Sequence, residues 1–346
     1  MEMKKLQKVL GIILALTMVT ALMGCGSKPA EKSEEATTEA AATEEAGTEA
    51  AATEEATTEE AGADAGDIVI GVSWQDLKNE YIKGLADAAE AYASENAINL
   101  ISNDGAGDTE TQLSQIETFI SQGVDAIIFN PYDADGGIPA AAKAKEAGIP
   151  IILVCTVLSD MSNVTSFVGS NDVTAGEMEA QLIVDMIGEK GNVVILRGPN
   201  GHSAEVNRSE GIFNVLDQYP DVNVVFDQTA NWDRSEAMAL LENWIQTGTE
   251  INGVISENDE MAVGAFNALV AAGKDDIPVV GIDGIADAYR SISEGGMTAT
   301  YLQDNVAQAQ TSIDVAIKAA KGETVEELYD IPFTLVNIDN VEEFIK

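Results

Sequence analysis

The sequence predicts an α/β protein with two lobes, each built on a parallel sheet that helices cover on both faces. From Asp67 onward, short runs rich in β-branched residues alternate with longer stretches of helical period, which is typical of such sheets. The same strand and helix unit recurs in both halves of the chain. About ten strand candidates are many for one open sheet, and the chain is long for one domain, so two lobes are expected.

The predicted elements alternate regularly along the folded part. The strand candidates are residues 68–73, 99–102, 126–130, 151–154, 165–168, 193–196, 222–226, 253–256, 279–282 and 298–302. The helix candidates are residues 81–93, 110–122, 136–147, 175–189, 205–218, 234–247, 260–272, 286–294 and 306–321. Gly123, Gly148 and Gly273 each stand between a helix candidate and a strand candidate, where glycine commonly closes a helix.

The amino terminus predicts a bacterial lipoprotein export signal. Lys4, Lys5 and Lys8 precede or flank an apolar run over residues 9–19, and a small-residue segment then ends at Cys25. Residues 1–24 are therefore predicted to be a removed signal peptide, and Cys25 to carry lipid at the new amino terminus. A retained transmembrane helix is the alternative, but the apolar run falls short of the roughly 20 residues that a span needs. The expected location is the extracytoplasmic face of the cell membrane.

Residues 25–66 are expected to form an acidic, solvated tether. They are almost wholly Ala, Thr, Glu and Gly, and Thr-Glu-Glu-Ala units recur at Thr43, Thr53 and Thr58. This composition offers no aromatic or β-branched aliphatic side chain for burial. The formal net charge of the whole chain is -41, and no basic stripe offsets it, so nucleic acid is not expected as a partner.

Enzyme signatures are mostly missing, so we expect a non-enzyme that uses no cofactor and no metal. The one histidine, His202, cannot supply a His-rich metal site and is interpreted as part of a loop. Phosphate-binding and nucleophile-elbow motifs are also missing from the sequence. An extracellular glycoside hydrolase with paired carboxylates stays open as an alternative, because acidic residues are abundant. Cys155 has no disulfide partner if Cys25 is acylated, and is interpreted as a buried strand-end residue.

The residues that end the predicted strands indicate where a ligand binds. In open α/β sheets the ligand lies beyond the carboxyl ends of the strands. Those positions hold Ser73-Trp74, Asn103-Asp104, Asn130, Cys155-Thr156, Arg197, Asn258-Asp259, Asp283 and Gln303-Asp304. Amides, a carboxylate, a guanidinium and nearby aromatic faces suit a neutral polyhydroxylated ring, and sugars are the commonest such ligands.

Several of these residues also have a purely structural interpretation. Trp74 and Trp232 lie among polar residues at strand ends, which favours stacking on a ligand over a place in the core. Asp259 stands just before a helix, where a carboxylate commonly caps free N–H groups. Arg208 lies inside a predicted helix and can equally pair with a carboxylate such as Glu205.

Four segments together carry a resemblance to a known family. They are Asn130-Pro131-Tyr132-Asp133, Ala147-Gly148-Ile149-Pro150, the run from Asn258 to Ala265, and the run from Val279 to Gly284. In combination they resemble the periplasmic sugar-binding proteins of the ribose, galactose and xylose group, the type I substrate-binding proteins of ABC transporters. The resemblance spans residues 67–346. It implies a two-lobed type I periplasmic-binding-protein fold, in which each lobe is an αβα sandwich with a parallel sheet and three hinge crossings join the lobes.

The resemblance also implies how the lobes are divided and what they meet. The N-terminal lobe would be 67–170 with 304–332, the C-terminal lobe 171–303 with 333–346, and the crossings would lie near 168–171, 303–305 and 331–333. The implied partners are a monosaccharide or similar polyhydroxylated small molecule, around which the lobes close, and ABC permease subunits in the membrane. A monomer is expected. A ligand sensor for a chemotaxis or two-component system and a binder of a non-sugar solute stay open as alternatives.

Family ligand contacts are carried over only where a motif matches. The resemblance implies ligand contacts for Asn79, Tyr81, Asn130, Arg208, Trp232, Asn258, Asp283 and Gln303, in addition to Trp74. The chief departure is Cys155-Thr156, where many sugar binders carry Asp-Arg. Loss of that charged pair favours a sugar other than ribose, a polyol or a sugar-like signal.

Overall fold

The computed structural model describes residues 68–345 of the chain. The predicted signal peptide over residues 1–24, the lipidation site Cys25 and the predicted tether over residues 25–66 lie outside the described residues, and they stay predictions. In the part of the chain that the structure describes, no helix is long and apolar enough to span a bilayer.

Strands and helices alternate along the described chain. The strands are β1 (Val69–Trp74), β2 (Asn99–Asp104), β3 (Ala126–Phe129), β4 (Ile151–Val154), β5 (Ser166–Gly169), β6 (Gly191–Arg197), β7 (Val222–Thr229), β8 (Gly253–Ser256), β9 (Val279–Asp283), β10 (Ala299–Leu302), β11 (Leu328–Asp330) and β12 (Thr334–Asn337). The helices are α1 (Glu80–Glu95), α2 (Thr109–Gln122), α3 (Ile138–Glu146), α4 (Asp172–Met186), α5 (Ser203–Leu216), α6 (Arg234–Gln246), α7 (Asp259–Ala271), α8 (Ala286–Ser293) and α9 (Asn305–Ala320), followed by a short 3-10 helix (Val341–Glu343).

Local sequence signals fix where these helices begin and end. The Asp108 carboxylate accepts the backbone N–H of Thr111 at 2.7 Å and caps the first turn of α2. The same helix ends at Gly123, whose φ of 71° lies in the left-handed region that glycine adopts without strain. Asn79 and Asn258 cap α1 and α7 in the same manner, so both asparagines stand at the carboxyl ends of strands and at the amino ends of helices.

The strands of residues 68–345 form two six-stranded sheets of matching order. The first sheet runs β11-β5-β4-β3-β1-β2 and the second runs β12-β10-β9-β8-β6-β7. Neighbouring strands are parallel, apart from β12, which pairs antiparallel with β10. In each sheet the order reverses beside the first strand, β1 or β6, and ligands of such sheets bind outside the carboxyl ends at that point. The predicted α/β fold with two parallel-sheet lobes is thereby confirmed.

Helices cover both faces of each sheet, and four apolar clusters fill the layers between. In the first lobe, α1 and α9 pack on one face around Ile70, Leu85 and Ile313, while α2 and α3 enclose the other face. In the second lobe, α4 and α5 lie on one face, and α6, α7 and α8 lie on the other. Each sheet is therefore the central layer of an αβα sandwich. The loops that connect its strands and helices lie at the surface, where they can hold binding residues.

The chain passes between the two sheets three times within the described residues. The first passage follows β5, the second lies between β10 and α9, and the third lies between β11 and β12. The sequence pattern does not predict β11 and β12, because both strands are short and largely exposed and neither carries a buried apolar run. Such short edge strands tie the third passage to both sheets.

Candidate functional site

A narrow cavity lies between the lobes, at the carboxyl ends of both sheets. It is lined by Gln75, Asn79, Tyr81, Ile82, Cys155, Thr156, His202, Ala204, Arg208, Trp232, Asn258, Asp283 and Gln303. Most of these side chains carry hydrogen-bonding groups, and Tyr81, His202 and Trp232 add aromatic rings. The predicted residues Asn79, Tyr81, Arg208, Trp232, Asn258, Asp283 and Gln303 all line it, whereas Trp74 and Asn130 do not.

Tyr81 brings an unpaired phenol to the wall of the first lobe. The residue is 5% exposed, and its hydroxyl has no hydrogen-bond partner in the described structure. Burial, followed by the nearby Cys155 and Asp283, raises the pKa of Tyr81 well above its ordinary value, so the phenol keeps its proton. A buried donor without a partner is unfavourable, and a ligand oxygen in the cavity would satisfy it.

Arg208 supplies the positive charge of the cleft from inside α5. Its Nε donates to the carboxylate of Asp172 at 2.8 Å, and one terminal nitrogen donates to the side-chain oxygen of Gln303 at 3.2 Å. Burial opposes the charged guanidinium, but attraction to Asp172 and Asp283 outweighs it, so the pKa of Arg208 lies above its ordinary value. The alternative partner considered from sequence, Glu205, pairs with Arg197 instead.

Asp283 ends β9 and presents a carboxylate to the same cavity. Burial raises the pKa of Asp283 well above its usual range, although Arg208 opposes that shift. Its φ of 131° is a conformation that side-chain-bearing residues rarely adopt, and such strain is typically kept at functional positions. The adjacent Asn258 uses its side-chain oxygen to cap α7 through the N–H of Met261 at 3.0 Å.

Gln303 and the pair Cys155-Thr156 close the base of the cleft. Gln303 lies at the second passage between the sheets, and its amide nitrogen contacts the Cys155 sulfur at 3.8 Å. Burial raises the pKa of the Cys155 thiol, which is therefore protonated and uncharged. The Thr156 hydroxyl donates to the carbonyl of Pro131 at 2.9 Å. This part of the wall is polar but carries no charge.

Trp232 forms the aromatic wall of the second lobe. Its indole ring lies 5.9 Å from the Arg208 guanidinium carbon, which is within cation–π range. Asn231 and Trp232 both have positive φ values, 54° and 61°, and this backbone turn aims the ring into the cleft. Gly198 lies beneath the ring, where an added Cβ would stand 2.0 Å from Trp232 Cζ2.

Trp74 corrects one prediction, because it lies in the core of the first lobe rather than in the cleft. Its side chain is fully buried among β1, α1 and α9, and its indole N–H donates to the Ser102 hydroxyl at 3.0 Å. The neighbouring β2 thus supplies the polar partner that the indole needs, and Trp74 does not line the cavity. This position does not support the predicted stacking of Trp74 on a ligand.

Asn130 lies beneath the cavity and holds two of its lining segments. Its side-chain oxygen accepts the N–H of Gln75 at 3.3 Å. Its amide nitrogen donates to the Val154 carbonyl at 3.1 Å and to the Thr156 hydroxyl at 2.9 Å. With these bonds its amide is fully engaged by the protein, so we interpret Asn130 as a positioning residue, in contrast to the predicted direct contact.

Gln75 and His202 also line the cavity, although the sequence pattern did not predict them as site residues. The His202 Nε2 lies 2.8 Å from the Gln75 side-chain oxygen, across the cleft, and the imidazole meets the Trp232 ring edge-on at 5.4 Å between centroids. Gln75 follows Trp74 directly at the end of β1, a position that could have pointed to it. The loop before α5 gave no such signal, because nothing in the sequence shows that it reaches the other lobe.

A second, larger cavity of about 530 Å³ lies beside the first and third passages between the sheets. Its walls are mainly apolar and include Phe167, Met178 and Phe333. The buried Tyr81 hydroxyl, which has no partner in the described structure, belongs to the smaller cavity, and the smaller cavity is therefore the better candidate site. Within residues 68–345, no group of three or more His, Cys, Asp or Glu side chains is placed to hold a metal ion.

The fold and the cleft define a two-lobed binding protein whose polar site lies between the lobes. The chain belongs to the periplasmic binding protein family, since residues 70–324 match the periplasmic binding protein domain. The family and its relatives are binding proteins of transporters, not enzymes. The family prediction made from the four sequence segments is confirmed.

The chain is similar to several binding proteins that are named for a sugar or polyol ligand. The chain is 41% identical over 276 residues to the xylitol-binding protein of Mycolicibacterium smegmatis. The matched residues cover 79% of this chain and 78% of that protein. It is 33% identical over 269 residues to the ribose import binding protein of Bacillus subtilis, covering 78% and 87% respectively. An ABC transporter solute-binding protein from Bacillus halodurans with bound myo-inositol superposes with a TM-score of 0.78 at 39% identity, covering 81% of this chain and 98% of that one.

Proposed function

We propose that this protein is a lipid-anchored, extracytoplasmic receptor of an ABC importer that binds a neutral sugar or polyol between its lobes. The observation that carries the proposal is the convergence of the unpaired Tyr81 hydroxyl, the Asp283 carboxylate and the Arg208 guanidinium around one aromatic face. Hydroxyl groups both donate and accept, so a polyol can satisfy all three polar groups at once. Its C–H faces pack against Trp232.

The charges of the cleft favour an uncharged solute. Arg208 already has an ion pair with Asp172, and Asp283 adds a second carboxylate beside the same guanidinium. An anionic solute would add a further negative charge to this buried cluster, and a cationic one would lie against Arg208. The uncharged Cys155-Thr156 segment offers no further counter-ion. The xylitol, ribose and myo-inositol named for the relatives are all neutral and rich in hydroxyls.

Anchoring and delivery complete the proposed function. Lipid on Cys25 would hold the protein at the outer face of the membrane, and the acidic segment over residues 25–66 would let the lobes reach the permease. Tethering raises the effective concentration of the receptor at the transporter without any new contact. Closure of the lobes on the solute, about the three passages between the sheets, would give the form that the permease recognises.

A thermal-shift screen of the full chain tests the proposed ligand class. The panel holds myo-inositol, xylitol, ribose, glucose and, as contrasts, glycine, glutamate and phosphate. A neutral polyol or sugar is expected to raise the melting temperature, because a ligand at 100 times its Kd stabilises the folded form by about 2.7 kcal/mol. A shift with glutamate or phosphate alone would overturn the proposal. Mass spectrometry of the recovered solute is expected to show no turnover.

Gly198→Ala is expected to weaken binding of the best solute in that panel about fivefold, or roughly 1 kcal/mol. The added methyl group would collide with the Trp232 ring and tilt it away from the ligand. Isothermal titration measures the change, and urea unfolding is expected to show little loss of stability, since Trp232 is only half-buried.

Trp232→Ala and the double variant supply the control for this prediction. If Gly198 acts only through the indole, Gly198→Ala is expected to have no further effect once Trp232 is alanine. Additive losses in the double variant would show that Gly198 affects binding by another route.

A further inference from the structure

Three consecutive residues before and at the start of α5 reach across the cleft. The Gly201 carbonyl accepts the backbone N–H of Ala134 at 3.2 Å, and the Ser203 hydroxyl accepts the N–H of Val157 at 3.1 Å. Between them, His202 bonds Gln75 at 2.8 Å. Ala134, Val157 and Gln75 all belong to the first lobe, whereas residues 201–203 belong to the second.

Gly201 has a backbone conformation that favours glycine, and it lies close to the first lobe. Gly201 has a φ of 89°, and a Cβ there would lie 3.0 Å from a carboxylate oxygen of Asp133 in the first lobe. His202 is 4% exposed, with Tyr132 of the first lobe and Trp232 of the second against its ring. The three residues therefore form a closely packed contact between the lobes.

Hydrogen bonding fixes the protonation state of His202. Its Nδ1 accepts the backbone N–H of Ala204 at 3.2 Å and caps α5, so Nδ1 carries no proton. Nε2 must then carry the proton, because its partner, the Gln75 side-chain oxygen, is an acceptor. A doubly protonated ring would lose the cap and would lie buried near Arg208.

We propose that Gly201, His202 and Ser203 form a latch that holds the lobes together, and that the latch closes only when His202 is the neutral Nε2–H tautomer. The proposal rests on the function proposed above, since it assumes that closure of the lobes accompanies solute binding. His202 is then a positioning residue of the binding site, and closure releases a proton whenever the open form carries an imidazolium.

The electrostatic surroundings of His202 agree with this geometry. Burial, followed by the charge of Arg208, lowers the pKa of His202 to about 3 in the structure. In an open cleft the exposed ring would titrate near its ordinary value of about 6.5. The lowered pKa belongs to the closed form, so the equilibrium constant for closure has its full value above about pH 6.5. Below about pH 6.5 this constant falls by up to about tenfold for each pH unit.

Other charged and titratable groups surround the latch. Arg208 and Glu205 stand on α5 itself, Tyr132 and Asp133 on the loop after β3, Asp76 on the loop after β1, and Cys155 and Asp283 in the same cavity. A carboxyl group whose pKa rises on closure, such as Asp283, takes up a proton and favours binding at low pH. The contribution of His202 is therefore measured as a difference between variants.

The test compares the pH dependence of solute affinity in three forms of the full chain. The probe is the best-binding solute of the panel, titrated calorimetrically from pH 5.0 to 8.0. His202→Asn keeps a good helix cap, but asparagine neither titrates nor reaches Gln75. His202 is expected to lower the affinity of the wild type about tenfold between pH 7.5 and pH 5.5, and this loss is expected to be absent in His202→Asn. Ser203→Ala removes one bond of the latch and is expected to weaken binding equally at every pH. Identical pH profiles in wild type and His202→Asn would overturn the proposal.

A second measurement reads the tautomer directly, because His202 is the one histidine in the chain. Nitrogen-15 NMR of the histidine ring is expected to show the Nε2–H form in the solute-saturated protein, with no titration above pH 5. An Nδ1–H form, or ordinary titration near pH 6.5 in the saturated protein, would contradict the latch.

If no solute in the panel binds, the proposed function fails, and with it the assumption that the lobes of the free protein are apart. The latch is then tested as the contact that holds the lobes of the free protein together at pH 7.5. His202→Asn and Gln75→Ala are then expected to enlarge the radius of gyration in small-angle scattering. Equal radii in wild type and both variants would overturn the latch separately.

Discussion

Asp283→Asn is expected to weaken binding of the best panel solute by at least tenfold, which corresponds to about 1.4 kcal/mol. Asparagine keeps the shape of the side chain but replaces one of its two acceptor oxygens with an N–H group that only donates. A solute hydroxyl that faces this group loses its acceptor, and a buried donor without a partner costs about 1–3 kcal/mol; Asp283 is 6% exposed. Isothermal titration at pH 7.5 measures the change.

Asp287→Asn is the matched control for this substitution. Asp287 is also a carboxylate of the second lobe, but it bonds Arg234 and Arg290 and does not line the cavity. The Asp287→Asn variant is expected to bind the solute with the affinity of the wild type. If Asp283→Asn binds as tightly as Asp287→Asn, the placement of the solute against β9 is wrong.

Gly211→Ala is expected to lower the free energy of unfolding by about 2 kcal/mol, through overpacking at a helix crossing. An added Cβ would lie 2.0 Å from the backbone oxygen of Val173 on α4. On the facing helix, a Cβ at Gly176 would lie 2.0 Å from the backbone oxygen of Arg208. Because the obstacle is backbone on both sides, α4 and α5 must separate, and the gain in helix propensity of up to about 1 kcal/mol does not offset that.

Gly84→Ala tests whether the effect belongs to the crossing rather than to loss of a helical glycine. Gly84 lies inside α1, and its added Cβ would meet only the side-chain nitrogen of Asn305, which can turn aside. Urea unfolding is expected to leave this variant within about 0.5 kcal/mol of wild type. Equal stability of Gly211→Ala and Gly84→Ala would show that the crossing tolerates the added methyl group. Since Arg208 stands on α5 at this crossing, Gly211→Ala is also expected to weaken solute binding.

The alternation of apolar runs with stretches of helical period predicts most of the strands and helices of the fold. Most of the strands from β1 to β10 contain a buried apolar run, as in Ile151–Val154, where every residue is fully buried. Such a run indicates a buried strand, and it can be read from the local sequence alone. The edge strands β11 and β12 are largely exposed, so their pairing depends on neighbours that the local sequence does not reveal.

The site was harder to derive, because a strand end shows where a residue stands but not where its side chain points. Asp283 and Trp74 both end strands, yet one faces the cavity and the other finds Ser102 inside the core. Asn130 matched a family motif, but its amide is used by Gln75, Val154 and Thr156. His202 was missed because its partner Gln75 lies 127 positions earlier in the chain. Contacts of that kind are set by how the lobes meet.

The thiol at the base of the cleft makes the motion of the lobes chemically visible. Cys155 is buried, and burial keeps it protonated, so a thiol reagent can attack it only after the lobes separate and water reaches the sulfur. If Cys25 carries lipid, Cys155 is the one alkylatable sulfhydryl of the mature chain. The rate at which iodoacetamide alkylates Cys155 then reports how often the lobes open. A bound solute is expected to lower that rate.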